Sequence, residues 1–395
     1  PWVGNPSWEL VHDASDASGR DVASLLLDAG AEELTATRNA QLATFTLSLV
    51  VLDALERLGI DPQACAGHSL GEYTALVAAG ALSFEEGVQL VTERGNAMQA
   101  AADQRPGTMA ALTGVEDDTA EAACQRTEGE VWVANYNAPG QVVIAGTAES
   151  VARAAELAKQ MGARKALPIP VGGAFHTPLM APARERLRKT LTGVTFSDPD
   201  VPVVANVDGR AHTDAAEWPG LLSAQLCSPV RWRQTLEALG AADPDQPLDL
   251  IEAGAGGVLT GLARRSLPGA RAATVATPED LDTVMERLTA GHAQPSPGGE
   301  HLYVAERLVV SPVTGLFQPD PLVDAAPGPG GAHGAGAGRS AVASPTRLEV
   351  GARVGTVGET EVRSAFSGAL MRVLAFPGER VVRGQPVAWL RADPS

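Results

Sequence analysis

With 395 residues, 45% of them hydrophobic and 19% charged, the chain is long enough for two or three domains, and no apolar run approaches the ~18–20 residues of a membrane span. A formal charge of −17 argues against a nucleic-acid partner, because phosphate binding needs a basic face. Three widely spaced cysteines without a CxxC pair, and an opening "PWVGNPSWELVHD" that has no basic-then-apolar leader, point to a reducing cytoplasm and to no metal site.

Apolar positions three and four residues apart predict helices in "DVASLLLDAGAEEL" and "ATFTLSLVVLDALERLG". "PQACAG" then reads as a short strand, "LGEYTALVAAGAL" as a helix with Ser69 at the junction, and "FEEGVQLVTERGNAMQAAAD" as another amphipathic helix. From about 107 to 172 the order becomes strand, helix, strand, strand, helix, strand, which is the ferredoxin-like order and predicts an inserted subdomain over 105–172. A parallel α/β pattern resumes with "PVVANV", the helix "SPVRWRQTLEALG" and the strand "LDLIEAG". "GVLTGLARRSL" follows in the strand–Gly–helix manner of open sheets, and "ATPEDLDTVMERLTA" closes the region as a helix.

"GHAQPSPGGE" marks a linker over 289–306, after which helical periodicity stops. From residue 301 nine arginines face eight acids, so the negative excess lies in the first 300 residues. "VVSPVTGLFQP" (309–319) is echoed by "VRSAFSGALMR" (362–372), each followed by a turn and a further strand. That predicts a small all-β module of two pseudo-repeats over 307–392, interrupted by a Pro/Gly-rich excursion at 320–345.

Gly67-His68-Ser69-Leu70-Gly71 fits a nucleophile elbow, in which a tight strand-to-helix turn lifts the hydroxyl to a helix N-terminus and the amide of Leu70 faces a developing oxyanion. The residues alone leave two readings open: a nucleophile, or a turn serine capping a helix. "GHSLGEY", "ERGNAMQ", "NYNAPGQVVIAG", "GAFHTPLM" and "QLCSPVRW", in that order, resemble the malonyl-CoA:acyl-carrier-protein transacylase family over roughly residues 1–290. The resemblance implies an α/β-hydrolase-like subdomain (1–104 and 173–288) carrying the ferredoxin-like insertion.

It also implies site roles. Ser69 accepts the acyl group, His176 is general base and then acid, and the backbone carbonyl of Gln225 orients the imidazole in place of an aspartate. Arg94 matches the arginine that clamps the free malonyl carboxylate, a task suited to a planar guanidinium. The plainer readings are a solvated helix arginine for Arg94 and a structural histidine for His176. His68 reads as a hydrogen-bonding neighbour of the elbow, and Asn135 and Asn137 as residues shaping the site. Phe175 beside His176 resembles the malonyl-selective signature, since a phenyl ring leaves no room for a branch at the acyl α-carbon. The implied partners are malonyl-CoA and a carrier protein bearing phosphopantetheine, with "RERLRK" (184–189) as a candidate basic patch for docking or a plain solvated face.

Two motifs of the resembled families have no counterpart. The transacylases open with a strand and a "GQGxQ" turn, whose glutamine completes the oxyanion hole, ahead of a segment like "PWVGNPSWELV"; the expectation is a chain lacking that donor. Residues 309–392 resemble the biotinyl/lipoyl carrier domain. Alignment on "SAFSG" puts the acceptor hairpin at "TVGET" with Val357 at the acceptor position, and no lysine follows Lys189. Neither biotin nor lipoyl attachment is expected, which leaves docking to a protein partner or dimerisation as the module's role. Two alternatives to the transferase are a serine thioesterase or hydrolase, which would share the elbow, and a non-catalytic scaffold of two degenerate domains.

Overall fold

Four helices open the chain: α1 (Glu9–Ser18), α2 (Val22–Leu27), α3 (Ala31–Thr35) and α4 (Thr37–Glu56). The stretch "DVASLLLDAGAEEL", expected as one helix, is two, because Gly30 takes extended backbone and becomes the N-cap of α3. After β1 (Cys65–Ala66) come α5 (Gly71–Ala78) and α6 (Phe84–Gln104), the latter capped by Ser83, whose Oγ accepts from the Glu86 amide at 3.2 Å. A Cβ on Gly95 would lie 2.9 Å from the Cα of Arg38, so this glycine is what lets α6 approach the start of α4 so closely.

The chain is described from a computed structural model that places residues 1–242, 248–290, 306–321, 346–364 and 367–392. It divides into two compact units, Pro1–Ala293 and Gln294–Ser395. Among the described residues no helix is long and apolar enough to cross a membrane.

In the first unit β2 (Thr108–Thr113), α7 (Asp117–Arg126), β3 (Val131–Ala138), β4 (Gln141–Gly146), α8 (Ala148–Gln160) and β5 (Lys165–Ile169) follow α6. The strands form an antiparallel sheet in the order β3-β4-β2-β5, with its own core around Leu112, Val133, Ile144 and Val151. Next come α9 (Ala181–Leu191), β6 (Val203–Val204), β7 (Ala211–His212), α10 (Trp218–Gln225) and α11 (Trp232–Ala241). β8 (Asp249–Ala253), α12 (Val258–Ser266), β9 (Arg271–Val275) and α13 (Pro278–Ala290) complete the unit.

β1 runs parallel to β6, with Cys65 opposite Val203 and Ala66 opposite Val204, which sets the elbow beside the end of β6. β9, for which periodicity gives no signal, exists by pairing in parallel with β8. The main core joins α4, α5, α6, α9 and α10 through residues such as Phe45, Tyr73, Leu90, Leu187 and Trp218. The expected helix "SPVRWRQTLEALG" begins only at Trp232, after Ser228 closes a turn on α10 and Val230 bridges to β3. Val230 donates to the Ala134 carbonyl and accepts from the Tyr136 amide, both at 2.9 Å, so it continues the free edge of β3. That pairing holds Asn135 and Asn137 toward the elbow.

The described residues of the second unit are built mainly of strands. Its strands are β10 (Glu306–Val310), β11 (Gly315–Pro319), β12 (Arg347–Leu348), β13 (Arg353–Val357), β14 (Thr360–Arg363), β15 (Gly368–Val373), β16 (Arg380–Val381) and β17 (Pro386–Ala392). They form two four-stranded sheets, β10-β17-β15-β12 and β14-β13-β11-β16, around Val309, Phe317, Val354 and Leu390. Each sequence echo crosses from one sheet to the other, β10 to β11 and β14 to β15, in opposite senses.

The position assigned to Val357 needs correcting. Its side chain is 2% exposed in the core and it pairs with Thr360, so the tip of the hairpin is Gly358-Glu359, with Gly358 at φ 59°. Residues 291–305 of the expected linker and 322–345 of the expected excursion lie outside the described residues.

Candidate active site

Ser69 stands between β1 and α5 at φ 53°, and His176, on the loop after β5, at φ 60°; they are the two non-glycine residues with positive φ among those described. Such conformations cost on the order of 1–3 kcal/mol each and persist where surrounding contacts over-determine them. For Ser69 those contacts come from Asn206 at the end of β6. Asn206 Oδ1 accepts from the Ser69 amide at 2.7 Å and its Nδ2 donates to the Gly67 carbonyl at 2.7 Å. Gly67 is the glycine the turn requires, since a Cβ there would lie 1.9 Å from the Gly71 carbonyl oxygen.

Ser69 Oγ lies 2.7 Å from His176 Nε2 and accepts from Arg94 Nη2 at 3.0 Å. His176 Nδ1 donates to the Gln225 carbonyl at 2.9 Å. A carbonyl can only accept, so Nδ1 keeps the proton and Nε2 presents its lone pair to the serine hydroxyl. Burial, followed by the Arg94 charge, pushes His176 from an ordinary 6.5 down to about 3, leaving it a neutral base at physiological pH.

Arg94, from the middle of α6, is 1% exposed. Besides Ser69 its guanidinium donates to Gln41 Oε1 at 2.5 Å and to Gln225 Oε1 at 2.9 Å, and it lies over the Tyr73 ring at 5.4 Å. Burial lowers its pKa, yet an arginine stays charged in proteins. Its Nε–H is buried without a hydrogen-bond partner. A buried cation whose hydrogen-bonded partners are neutral oxygens is suited to an anionic ligand group.

Expected site residues fall into two groups. Ser69, His176, Arg94 and Gln225 converge through direct hydrogen bonds. On the other flank of the elbow His68 Nε2 lies 2.9 Å from Asn137 Oδ1 and 3.2 Å from Asn135 Nδ2, and its ring meets Trp232 edge-on. The Leu70 amide sits at the start of α5, and Phe175 is partly buried against both neighbouring cores. In "RERLRK", Arg186 is engaged by Glu93, and Arg184 and Arg188 share Glu185 at 3.5 and 3.3 Å, so two carboxylates offset about half of the four positive charges.

Motif reading did not single out Gln41, Glu72 or Asn206. Glu72 lies inside "GHSLGEY", while Gln41 and Asn206 show only as polar residues buried on otherwise apolar elements. Glu72 Oε1 accepts from the Asn206 amide at 2.6 Å and its Oε2 from Gln225 Nε2 at 2.5 Å. Among the described residues no group of His, Cys, Asp and Glu could hold a metal ion.

Residues 8–280 match the acyl transferase domain family. The malonyl CoA-acyl carrier protein transacylase of Bacillus subtilis is 40% identical over 282 residues, covering 71% of this chain and 88% of the relative. The chain belongs to the malonyl-CoA:acyl-carrier-protein transacylase family. An acyl carrier protein S-malonyltransferase from Vibrio cholerae superposes with a TM-score of 0.67 at 40% identity, over 70% of this chain and 91% of that one. A second transacylase structure, solved as a type II PKS acyl-carrier protein in complex with its malonyl-transacylase (PlMCAT:AntF), gives 0.68 at 37% identity over 71% and 91%. This transacylase's match to the family ends at residue 280, before its second unit begins.

Proposed function

We propose that the chain transfers malonyl groups from malonyl-CoA to the phosphopantetheine thiol of an acyl carrier protein, through a malonyl ester on Ser69. The observation that carries this reading is that one oxygen, Ser69 Oγ, meets both a neutral imidazole at 2.7 Å and a buried guanidinium at 3.0 Å. His176 Nε2 takes the hydroxyl proton as Oγ attacks the thioester carbonyl, and the Leu70 amide faces the oxyanion. The carbon–sulfur bond breaks, and the imidazolium returns the proton to the departing CoA thiolate. The carrier's thiol then reverses these steps on the ester. Arg94 holds the free malonyl carboxylate, and Phe175 disfavours a branched acyl group by about 1–3 kcal/mol for one methyl.

His68, Asn135 and Asn137 shape the elbow's far side in this reading and carry no proton. The second unit is assigned a biotinyl/lipoyl-like architecture, supported by its two interleaved sheets and the β13–β14 hairpin. With no lysine after Lys189, its role falls to contact with a protein partner. A cytoplasmic location accords with three cysteines free of disulfides.

Intact-protein mass spectrometry after brief exposure to malonyl-CoA tests the reading. A gain of one malonyl group is expected, lost in Ser69→Ala and discharged by a holo carrier protein. A folded chain that takes up no acyl group, or loads equally without Ser69, refutes it.

A further inference from the structure

Glu72 takes no part in the bond changes above, yet it is 1% exposed and bonds both to Asn206, which holds the elbow, and to Gln225, which meets Arg94. We infer that Glu72 is a positioning residue that fixes the orientation of the Gln225 side-chain amide and, through it, the guanidinium that receives the malonyl carboxylate. The inference rests on the role given to Arg94 above.

A carboxylate only accepts hydrogen bonds. One Glu72 oxygen is taken by the Asn206 amide and the other by Gln225 Nε2. The second hydrogen of that Nε2 goes to the Ser69 carbonyl at 2.8 Å. Both N–H groups of the Gln225 amide are therefore directed at groups that can only accept, and Oε1 is left to face Arg94 Nη2 at 2.9 Å. Reversing the amide would set an oxygen against a carboxylate and a carbonyl and an NH2 against a guanidinium, which is unfavourable at every contact.

Glu72 sits on the first turn of α5, so the helix that begins at the nucleophile also sets the clamp. Among the described residues Glu72 makes no ion pair with Arg94; the Gln225 amide stands between them. A direct pair would compete with a substrate carboxylate for the guanidinium. The intervening amide transmits orientation without pairing the guanidinium to a carboxylate of the protein.

The test compares rates of acyl loading on Ser69 from malonyl-CoA and from acetyl-CoA, whose acyl group has no carboxylate for Arg94 to hold. Glu72→Gln has one acceptor oxygen for two donors, so the Gln225 amide loses its fixed orientation. Malonyl loading is expected to fall by about 10–100-fold, the consequence of one to two misdirected buried hydrogen bonds. Acetyl loading shares the Arg94 and Gln225 contacts to Ser69 but has no carboxylate to hold, so it is expected to fall at least about tenfold less than malonyl loading. If Glu72→Gln does not fold, Glu72→Asp, which keeps two acceptor oxygens but draws them back by one methylene, is expected to lower the malonyl-to-acetyl ratio in the same sense. A folded variant that slows both substrates equally, or leaves the ratio unchanged, overturns the inference while the role of Ser69 stands. A wild-type chain that loads no malonyl overturns both.

Discussion

Replacing Gly67 by alanine places a methyl carbon 1.9 Å from the Gly71 carbonyl oxygen and 2.6 Å from the Glu72 amide nitrogen. Both obstacles are backbone, so relief requires the first turn of α5 to move away by at least about 1 Å. That turn is held by hydrogen bonds of 2.5 to 2.8 Å, donated by the Ser69 amide to Asn206 and by Gln225 Nε2 to Glu72 and the Ser69 carbonyl, none of which survives such a displacement. Overpacking of this kind costs about 1–3 kcal/mol before the lost hydrogen bonds are counted, at about 1 kcal/mol each. Gly67→Ala should therefore lower stability by about 3 kcal/mol or more and, where folded, slow Ser69 loading by about 100-fold, as misplacement by ~1 Å does. Gly71→Ala is the internal control. Nothing lies within 4 Å of the added carbon and its φ is not positive, so its melting temperature should equal or exceed that of wild type. Thermal melts with malonyl loading by mass spectrometry measure both variants. A Gly67→Ala protein with wild-type melting and loading would refute the steric basis of the elbow.

Two further outcomes follow from buried groups. Burial raises Glu72 from an ordinary 4.5 to about 7, against the opposing pull of the Asn206 and Gln225 hydrogen bonds and of Arg94, with Asp208 adding to the rise. Its acceptor-only form is thus present above about pH 7 and is lost below, whereas His176, facing Arg94 and His68 and depressed to about 3, stays neutral throughout. Malonyl loading should decline as pH falls through about 7 while acetyl loading stays level to about pH 5, and a single shared limb near 6.5 would place the titration on His176 instead. For stability the sign is opposite: Glu72's contribution is fully present below its unfolded value of 4.5 and is lost as pH rises through about 7. In the second unit, Val357→Lys should destabilise the β fold by about 3 kcal/mol or more by burying a charge, while Glu359→Lys at the hairpin tip should change it by less than about 0.5 kcal/mol. Denaturant melts of the two variants that coincide would return Val357 to the hairpin tip.

The amino-acid sequence by itself determined the local chemistry of this transacylase. Glycine spacing around Ser69, the ordered motifs ending in His176 and Gln225, and the arginine of "ERGNAMQ" all depend on short-range pattern, and the structure brings these side chains together. Periodicity also placed most helices, because an apolar face repeats within the element that carries it. It failed where a contact from elsewhere decided the conformation. "SPV" is not helical because Val230 bonds to β3, β9 exists because β8 lies beside it, and Val357 faces inward because the two-residue turn Gly358-Glu359 sets the register of its hairpin.

The support of the site was legible least of all. Glu72 meets Asn206 across 134 residues and Gln225 meets the Ser69 carbonyl across 156, so no local spacing encodes either contact. A hydrogen bond needs its two partners within about 3 Å and correctly aimed, and for segments this far apart only the packing of α5, α6 and α10 around β1 and β6 supplies that. The sequence carries the reacting groups; which of them is clamped, which tautomer His176 holds and which way the Gln225 amide points were decided by tertiary structure.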